Sequence, residues 1–186
     1  KSCTQIKETD RLMTIQELEQ SIALYGKDIY SFCLHLTGNR MLADELYQDT
    51  FLKATETAGR LRTDGNLKSY YLSVALRLWK NQRRKFAWRQ RIAPMQEWSD
   101  KAAESAFGTD EDVLKTYLKK EKRQMVREAV SALDEKYRIP VLLYYMEGMS
   151  VAEAASVMGI PKGTVKSRLN TARKRLESEL EEYFDE

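Results

Sequence analysis

At 186 residues, with 42% hydrophobic side chains, the chain is long enough for one or two domains with packed cores. Its single histidine and two cysteines fit neither a disulfide framework nor the ligand spacing of a metal site, so we expect no metal and no cofactor. No apolar run reaches membrane-spanning length and no signal peptide is evident, which predicts a cytoplasmic protein without membrane insertion of its own.

The net charge of +3 understates how basic part of the chain is. Seven Lys and Arg residues lie between Arg77 and Arg91, and no acidic residue lies among them. The stretch from Glu177 to Glu186 is instead strongly acidic. The sequence shows no constellation of nucleophile, base and metal ligands, so we do not expect an enzyme.

The first predicted domain, residues 14–93, is helical, because apolar residues recur with a period of 3.6 and no convincing alternating β pattern occurs. Its first helix has an apolar stripe that Gly26 breaks and Gly38 ends. The stripe consists of Leu18, Ile22, Tyr25, Ile29, Phe32 and Leu36. Cys33 is expected to be a small core residue. A second helix is expected over residues 41–58, with Leu42, Leu46, Thr50, Phe51 and Ala54 facing inward.

A long basic helix is predicted over residues 67–91, after a polar loop at residues 59–66. Its buried face is expected to hold Leu67, Tyr71, Val74 and Leu78, with Tyr70 and Ala75 as further candidates. Projecting outward are Arg77, Lys80, Asn81, Arg84, Lys85 and Trp88, with Trp79 and Phe86 interleaved. Cations neutralise phosphates and aromatic rings stack on unpaired bases, so this mixture suits single-stranded or melting DNA. The alternative is a solvated basic face with core aromatics.

A polar, acidic linker is predicted over residues 94–111, with Trp98 and Phe107 as docking points. The second domain, residues 112–186, is expected to begin with a helix marked by Leu114, Leu118, Met125, Ala129 and Leu133. Another helix is expected over residues 137–146, which Pro140 should kink or start and Gly148 should end. The protein is therefore predicted to be all-α, with two helical domains joined by a flexible linker.

The C-terminal domain is predicted to contain a helix-turn-helix. Ser150 and Glu153 match a capping box, so a short helix is expected to begin at Val151, and Gly159 is expected to end it. Pro161 suits the first turn of a second helix. One apolar stripe of that helix faces inward: Val165, Leu169, Ala172, Leu176 and Leu180. A basic, polar outer face is the geometry that places a recognition helix in a major groove. The alternative is an amphipathic hairpin whose charges only solvate it.

Read in order, these segments resemble a bacterial RNA polymerase sigma factor of the extracytoplasmic-function group of the sigma-70 family. The resemblance spans about residues 18–180 and rests on three motifs. Residues 43–51, ADELYQDTF, resemble the polymerase-binding helix, and residues 70–84 resemble the helix that melts and reads the minus-ten element. The reader of the minus-thirty-five element is matched by residues 133–138, by EGMS at 147–150 and by GTVKSRL at 163–169, parts of which other bacterial helix-turn-helix regulators share.

The resemblance implies an alternative sigma factor that binds core RNA polymerase and directs promoter-specific initiation, under the control of an anti-sigma factor. The N-terminal domain would bind the beta-prime coiled coil through Asp44, Glu45, Gln48 and Asp49. The C-terminal domain would bind upstream promoter DNA and the beta flap, and the linker would thread toward the active-site cleft. Contacts to the minus-ten element are assigned to Asn66, Arg77, Lys80, Asn81, Arg84, Lys85 and Trp88. Contacts to the minus-thirty-five element are assigned to Lys162, Thr164, Lys166, Ser167, Arg168, Asn170, Arg173 and Lys174.

The chain departs from the family pattern at three positions. Many members carry Asn at the position of Arg77 and Asp at that of Asn81, which affects the base contacts there. Asp134 replaces the usual proline, a change that we expect to alter a helix cap rather than the DNA surface.

Two other functions fit part of the pattern. A dimeric helix-turn-helix regulator that acts without replacing sigma leaves the basic helix at residues 67–91 and the acidic surface at residues 44–49 unexplained. A pure interaction protein that sequesters a partner is the other alternative. Binding to core polymerase and to free promoter DNA separates the three hypotheses.

Overall fold

The computed structural model describes residues 14–57, 66–92 and 113–184. Within these ranges the secondary structure is helical and contains no strand. The helices are α1 Ile15–Thr37, α2 Arg40–Thr57, α3 Leu67–Ile92, α4 Val113–Ala132, α5 Glu135–Val141, α6 Val151–Met158 and α7 Lys162–Phe184, with a π-helical turn at Leu142–Met146 after α5. They form two compact units, α1–α3 and α4–α7. The predicted all-α class with two helical domains is confirmed. The predicted loop at 59–65, the linker with Trp98 and Phe107, and the side chains of Leu114 and Leu118 lie outside the described residues.

The first unit begins with a capped helix that packs closely on α2. Thr14 and Glu17 form a reciprocal capping box, and Gly38, with φ 66°, ends α1 in the left-handed conformation. The helix continues through Gly26, where a Cβ atom would lie 2.9 Å from the hydroxyl oxygen of Tyr47. Glycine at this buried position therefore allows the tyrosine of α2 to approach the backbone of α1.

The core of the first unit is formed by one face of each helix. The predicted inward residues are all buried or half-buried, with Leu42 and Leu78 among the half-buried ones. Cys33 is fully buried in α1, as predicted for a small core residue. Tyr71 of α3 is also fully buried; its ring lies 5.0 Å from that of Phe51, and its hydroxyl is hydrogen-bonded to Ser21. Because burying an aromatic side chain contributes about 1.5–3 kcal/mol, this α1–α2–α3 contact is a main source of the unit's stability.

The second unit is built around α7, which packs against α4, α5 and α6. Val165, Leu169 and Ala172 of the predicted stripe are buried. Leu176 and Leu180 are half-buried. The stripe therefore faces inward as expected.

The segment before the helix-turn-helix contains an irregular turn. Helix α5 starts at Glu135, so Pro140 lies inside it and does not start it. The next residues form the π-helical turn, in which the N–H of Glu147 donates to the carbonyl of Leu142 at 3.0 Å. Gly148, with φ 68°, ends the turn where a side chain would be strained. The widened turn was not anticipated from the sequence.

The helix-turn-helix forms where it was predicted. Ser150 and Glu153 make both hydrogen bonds of a capping box at the start of α6. Gly159, with φ 65°, ends α6 in the left-handed conformation. Helix α7 begins one residue later than Pro161, whose carbonyl accepts from the N–H of Val165 at 3.2 Å. The turn between α6 and α7 thus depends on Gly159, because only glycine adopts this left-handed conformation without strain.

Replacing Gly159 by Ala is expected to lower the free energy of unfolding of the second unit by about 1 kcal/mol, because Ala at a positive φ is strained. Gly163 is the matched control, since it lies in α7 with no atom within 4 Å of a Cβ atom and no positive φ. Gly163→Ala should leave stability unchanged or raise it. Denaturation followed by circular dichroism, with hydrogen exchange in α6 and α7, measures both. Equal effects of the two substitutions would contradict the backbone explanation.

Candidate nucleic-acid interface

The outer face of α7 carries the predicted recognition residues. Lys166 and Asn170 are exposed one helical turn apart, on the side away from buried Val165 and Ala172. The other predicted residues differ in exposure: Lys162, Ser167, Arg173 and Lys174 are exposed, whereas Thr164 and Arg168 are half-buried. This face presents ammonium and amide donors to solvent, the groups that contact guanine and adenine edges in a major groove.

Ser167 is less available as a donor than its exposure suggests. Its hydroxyl donates to the carbonyl of Thr164 in the preceding turn of α7, at 3.0 Å. The lone pairs of the hydroxyl oxygen remain available to accept a hydrogen bond. In this conformation Ser167 can therefore read a donor on a base edge.

Two arginines near the middle of α7 are held by side chains of other helices. The Nη2 atom of Arg173 donates to the hydroxyl oxygen of Tyr145, at 3.0 Å, and this bond raises the pKa of Arg173 above its ordinary value. Arg175 forms an ion pair with Asp134 at 3.0 Å and lies 4.5 Å from the ring centre of Tyr137. Arg175 therefore joins α7 to the start of α5. Tyr145 lies beside Arg173, a predicted DNA contact for which the sequence indicated no neighbouring side chain.

Asp134 does not act as the side-chain cap that its position suggested. It stands at the N-cap of α5, but its side chain makes no capping hydrogen bond. The carboxylate instead accepts from Arg175 at 3.0 Å. The change from proline therefore lies at a helix cap, as expected, and the carboxylate ties α5 to α7.

The basic face of α3 is the second candidate surface. Arg77, Lys80, Arg84 and Lys85 are exposed, and the indole of Trp88 is 64% exposed. Asn81 is half-buried, with its amide oxygen 3.4 Å from Nη2 of Arg84. Helix α3 contains no acidic residue that could pair with these cations. The exposed indole therefore provides a stacking surface, and the cations beside it provide phosphate contacts.

Trp79 does not belong to that surface. Its side chain is only 5% exposed, so the prediction that it interleaves with the outward cations is wrong. The guanidinium of Arg83 lies 5.5 Å from the ring centre of Trp79. The indole is drawn into the core because it follows Tyr71, Leu72, Ala75 and Leu76 on a buried face that is wider than the sequence periodicity indicated.

Asn66 has a local structural role at the start of α3. Its side-chain oxygen accepts from the N–H of Ser69 at 3.0 Å, and its carbonyl accepts from the N–H of Tyr70 at 3.0 Å. These are the hydrogen bonds of an N-cap residue. The residues that precede it in the predicted loop, 59–65, lie outside the described residues.

The outer face of α2 is acidic at its centre and apolar at both ends. Asp44, Glu45 and Gln48 are exposed, and Asp49 is half-buried. Met41 is 74% exposed and Leu52 is 61% exposed. Sequence reasoning missed these two apolar side chains, although their spacing from Glu45 and Gln48 places all four on one line along the helix.

Asp44 is held in place by a neighbouring helix. The hydroxyl of Tyr30 on α1 donates to the carboxylate of Asp44 at 2.8 Å. This hydrogen bond raises the pKa of Tyr30, so the phenol stays protonated and continues to donate. The ring of Tyr30 packs edge-on against Tyr47, with 5.6 Å between the ring centres. One carboxylate of the acidic face is therefore oriented before any partner binds.

Neither a metal site nor a membrane helix is found in the part of the chain that the structure describes. Residues 14–57, 66–92 and 113–184 contain no group of three or more His, Cys, Asp or Glu side chains arranged to hold a metal ion. Within the same ranges, no helix has the length and apolar character needed to cross a membrane.

Comparison with known proteins places both units in one family. Residues 22–90 match sigma-70 region 2, and residues 123–176 match sigma-70 region 4. The ECF RNA polymerase sigma factor EcfG of Rhodopseudomonas palustris strain TIE-1 is 29% identical over 171 residues, covering 90% of this chain and 86% of the relative. The ECF RNA polymerase sigma factor SigM of Bacillus subtilis strain 168 is 29% identical over 166 residues, covering 89% of this chain and 94% of the relative. The chain belongs to the extracytoplasmic-function group of the sigma-70 family.

The fold of this sigma factor also resembles a solved structure. The sigma factor RpoE of Bartonella quintana, determined in complex with the anti-sigma factor NepR, matches with a TM-score of 0.74 and 23% identity. The match covers 90% of this chain and 98% of that chain. Proteins of this family are transcription initiation factors that bind core RNA polymerase and promoter DNA.

Proposed function

We propose that this sigma factor divides its contacts between two domains, residues 14–93 and 112–186, joined by a linker at residues 94–111. The first domain binds core polymerase and the minus-ten element, and the second binds the minus-thirty-five element. The observation that carries the proposal is the separation of charge: α2 presents an acidic face, whereas α3 and α7 present basic faces. The sigma factor acts in the cytoplasm, beside the polymerase, and catalyses no reaction of its own.

The proposed polymerase contact is the outer face of α2. Asp44, Glu45, Gln48 and Asp49 supply the polar centre, which suits the basic beta-prime coiled coil. Exposed Met41 and Leu52 add apolar contacts at either end. A face with a charged centre and apolar ends favours a helical partner lying along α2, because charge gives orientation and apolar burial gives affinity.

The proposed minus-ten contact is the basic face of α3. Arg77, Lys80, Arg84 and Lys85 would neutralise phosphates, Asn66 and Asn81 would lie near the bases, and Trp88 would stack on an unpaired base. Asn66 also caps α3, so the start of this helix is fixed at the position where the single strand would enter. Exposed aromatic surface beside cations supports a melted strand better than an intact duplex.

The proposed minus-thirty-five contact is the outer face of α7, with the beta flap of the polymerase as a second partner of the same domain. Lys166, Ser167 and Asn170 would read base edges. The residues proposed to hold the surrounding phosphates are Lys162, Thr164, Arg168, Arg173 and Lys174. The burial of Val165 and Leu169 beneath this face supports the assignment, because it leaves the polar row pointing outward.

We further propose that an anti-sigma factor controls this protein. The supporting observation is the likeness in fold to RpoE of Bartonella quintana, which was solved in complex with the anti-sigma factor NepR. A competitor that covers either the acidic face of α2 or the basic faces of α3 and α7 would block initiation directly.

Charge reversal of Glu45 and Asp49 to Lys is expected to weaken binding to core polymerase, because removing each desolvated charge pair costs roughly 2–5 kcal/mol. A competition assay for core enzyme against the wild-type chain, with promoter-dependent transcription in parallel, measures the loss of affinity. The matched control is Glu19→Lys with Glu181→Lys, which changes the net charge equally at exposed positions of α1 and α7. If the Glu45 and Asp49 variant competes as well as the control, the polymerase contact does not lie here.

Replacing Arg84 and Lys85 by Ala is expected to reduce open-complex formation and to lower the salt slope by about one for each phosphate that is no longer neutralised. Permanganate footprinting of the polymerase complex over a salt series measures both effects. Lys27→Ala with Arg123→Ala is the control of equal charge, since both residues are exposed and lie on other helices, α1 and α4. A pre-melted template should restore activity, whereas equally reduced activity on melted and duplex templates would argue against a role in melting.

Replacing Asn170 by Ala is expected to cost about 1–3 kcal/mol at the preferred upstream sequence and to relax the preference at one base pair. Lys166→Ala should relax a neighbouring position, while Lys174→Ala should weaken all sequences alike. Selection of promoters from a randomised upstream library by the reconstituted holoenzyme reads out these preferences. An upstream motif unchanged by both the Lys166 and the Asn170 substitutions would refute the recognition surface.

A further inference from the structure

Tyr145 stands at the end of the polar row of α7. Lys166, Asn170 and Arg173 follow one another at four- and three-residue spacing, so they lie along one line of the helix. The hydrogen bond of 3.0 Å from Arg173 to the hydroxyl oxygen of Tyr145 continues this line onto the π-helical turn. The side chain of Tyr145 is 55% exposed. The row that would face DNA is thus longer than α7 alone provides.

The hydroxyl group of Tyr145 accepts one hydrogen bond and still has a proton to donate. The phenol oxygen accepts a hydrogen bond from the Arg173 cation, so its own O–H must point elsewhere. Among residues 14–57, 66–92 and 113–184, no acceptor for this proton is found. An O–H and the remaining guanidinium N–H groups therefore meet at one exposed point, where they can donate together to a single anionic acceptor.

The π-helical turn is what brings Tyr145 to this position. It adds a residue to the turn between Leu142 and Met146, so that Leu142 and Leu143 are buried while the next three side chains are exposed. The rings of Tyr144 and Tyr145 pack edge to face, with 4.9 Å between their centres, which limits the motion of the phenol. Widened turns of this kind occur often at functional sites.

We propose that Tyr145 and Arg173 form a clamp for one phosphate of the minus-thirty-five DNA, in which the hydroxyl and the guanidinium each donate to that phosphate. The inference rests on the proposed role of α7 in binding this element. It adds a DNA contact that lies outside α7. Because hydrogen bonds to a phosphate carry no base information, the clamp fixes the register of α7 without changing which bases are read.

The experiment uses holoenzyme reconstituted with the full chain and the strongest promoter recovered from the library selection. Each phosphate of the upstream element is replaced in turn by a neutral methylphosphonate, and the affinity is measured for the wild-type protein and for Tyr145→Phe, Arg173→Ala and the double variant. Tyr144→Phe is the matched control, because it removes a neighbouring hydroxyl that has no hydrogen bond within the described residues.

Tyr145→Phe is expected to weaken binding about three- to tenfold on all upstream sequences, the range of one net hydrogen bond. The wild-type protein should be sensitive to neutralisation of one particular phosphate. Each single variant should lose part of that sensitivity, and the double variant should lose all of it. Circular dichroism confirms that Tyr145→Phe folds, since the substitution keeps the ring.

Two results would overturn the clamp. One is a Tyr145→Phe variant that matches wild type at every phosphate. The other is a Tyr145→Phe substitution with no further effect in the Arg173→Ala background, which would limit Tyr145 to orienting Arg173. Failure of the proposed function is separate: it would appear as unchanged base preferences in the Lys166 and Asn170 variants.

Discussion

Burial of Val165, Leu169 and Ala172 against the shorter helices fixes the rotation of α7 about its own axis, and the function of the C-terminal unit depends on that rotation. A helix presents only one line of side chains to a groove, so an error of one residue would turn Lys166 and Asn170 away from the side that we propose faces the DNA. The Arg175–Asp134 ion pair and the stacking of Arg175 on Tyr137 hold the opposite flank. Since both groups of the ion pair are about half exposed, the pair contributes orientation more than stability.

In the N-terminal unit, aromatic contacts fix the orientation of the helices. Tyr30, Tyr47, Phe51 and Tyr71 follow one another with ring centres 4.8–5.6 Å apart. At one end of this series Tyr30 orients Asp44 on the acidic face, and at the other Tyr71 fixes α3 against the core. Burial raises the pKa of both Tyr47 and Tyr71, so these phenols remain neutral inside the unit. The acidic and basic faces are therefore positioned by one continuous set of packed rings.

The charges of this sigma factor are divided between an acidic face on α2 and basic faces on α3 and α7. The net charge is only +3, although α3 and α7 each present several cations. Binding to DNA gains from release of counterions in proportion to the phosphates neutralised, so each basic face alone offers limited affinity. The acidic face of α2 would be repelled by DNA, which agrees with the basic protein partner that we propose for it. If α3 and α7 bind DNA as we propose, the sigma factor gains affinity for a promoter when core polymerase brings both faces to the same DNA molecule.

The sequence by itself determined the helices, their caps and most of their buried faces, because these features depend on local periodicity and on short motifs. Thr14 was not recognised as a cap, but the capping box at Ser150 and the left-handed Gly159 stand where they were predicted, and Gly38 and Gly148 end their segments as expected. Tertiary packing decided what periodicity does not contain. It buried Trp79, widened the turn after Pro140, turned the carboxylate of Asp134 toward Arg175 and brought Tyr145 to Arg173. The hydrogen bond between Tyr145 and Arg173 spans 28 positions of sequence, and that between Asp134 and Arg175 spans 41. Contacts between residues so far apart, and the width of the face that neighbouring helices cover, are set only when the helices pack.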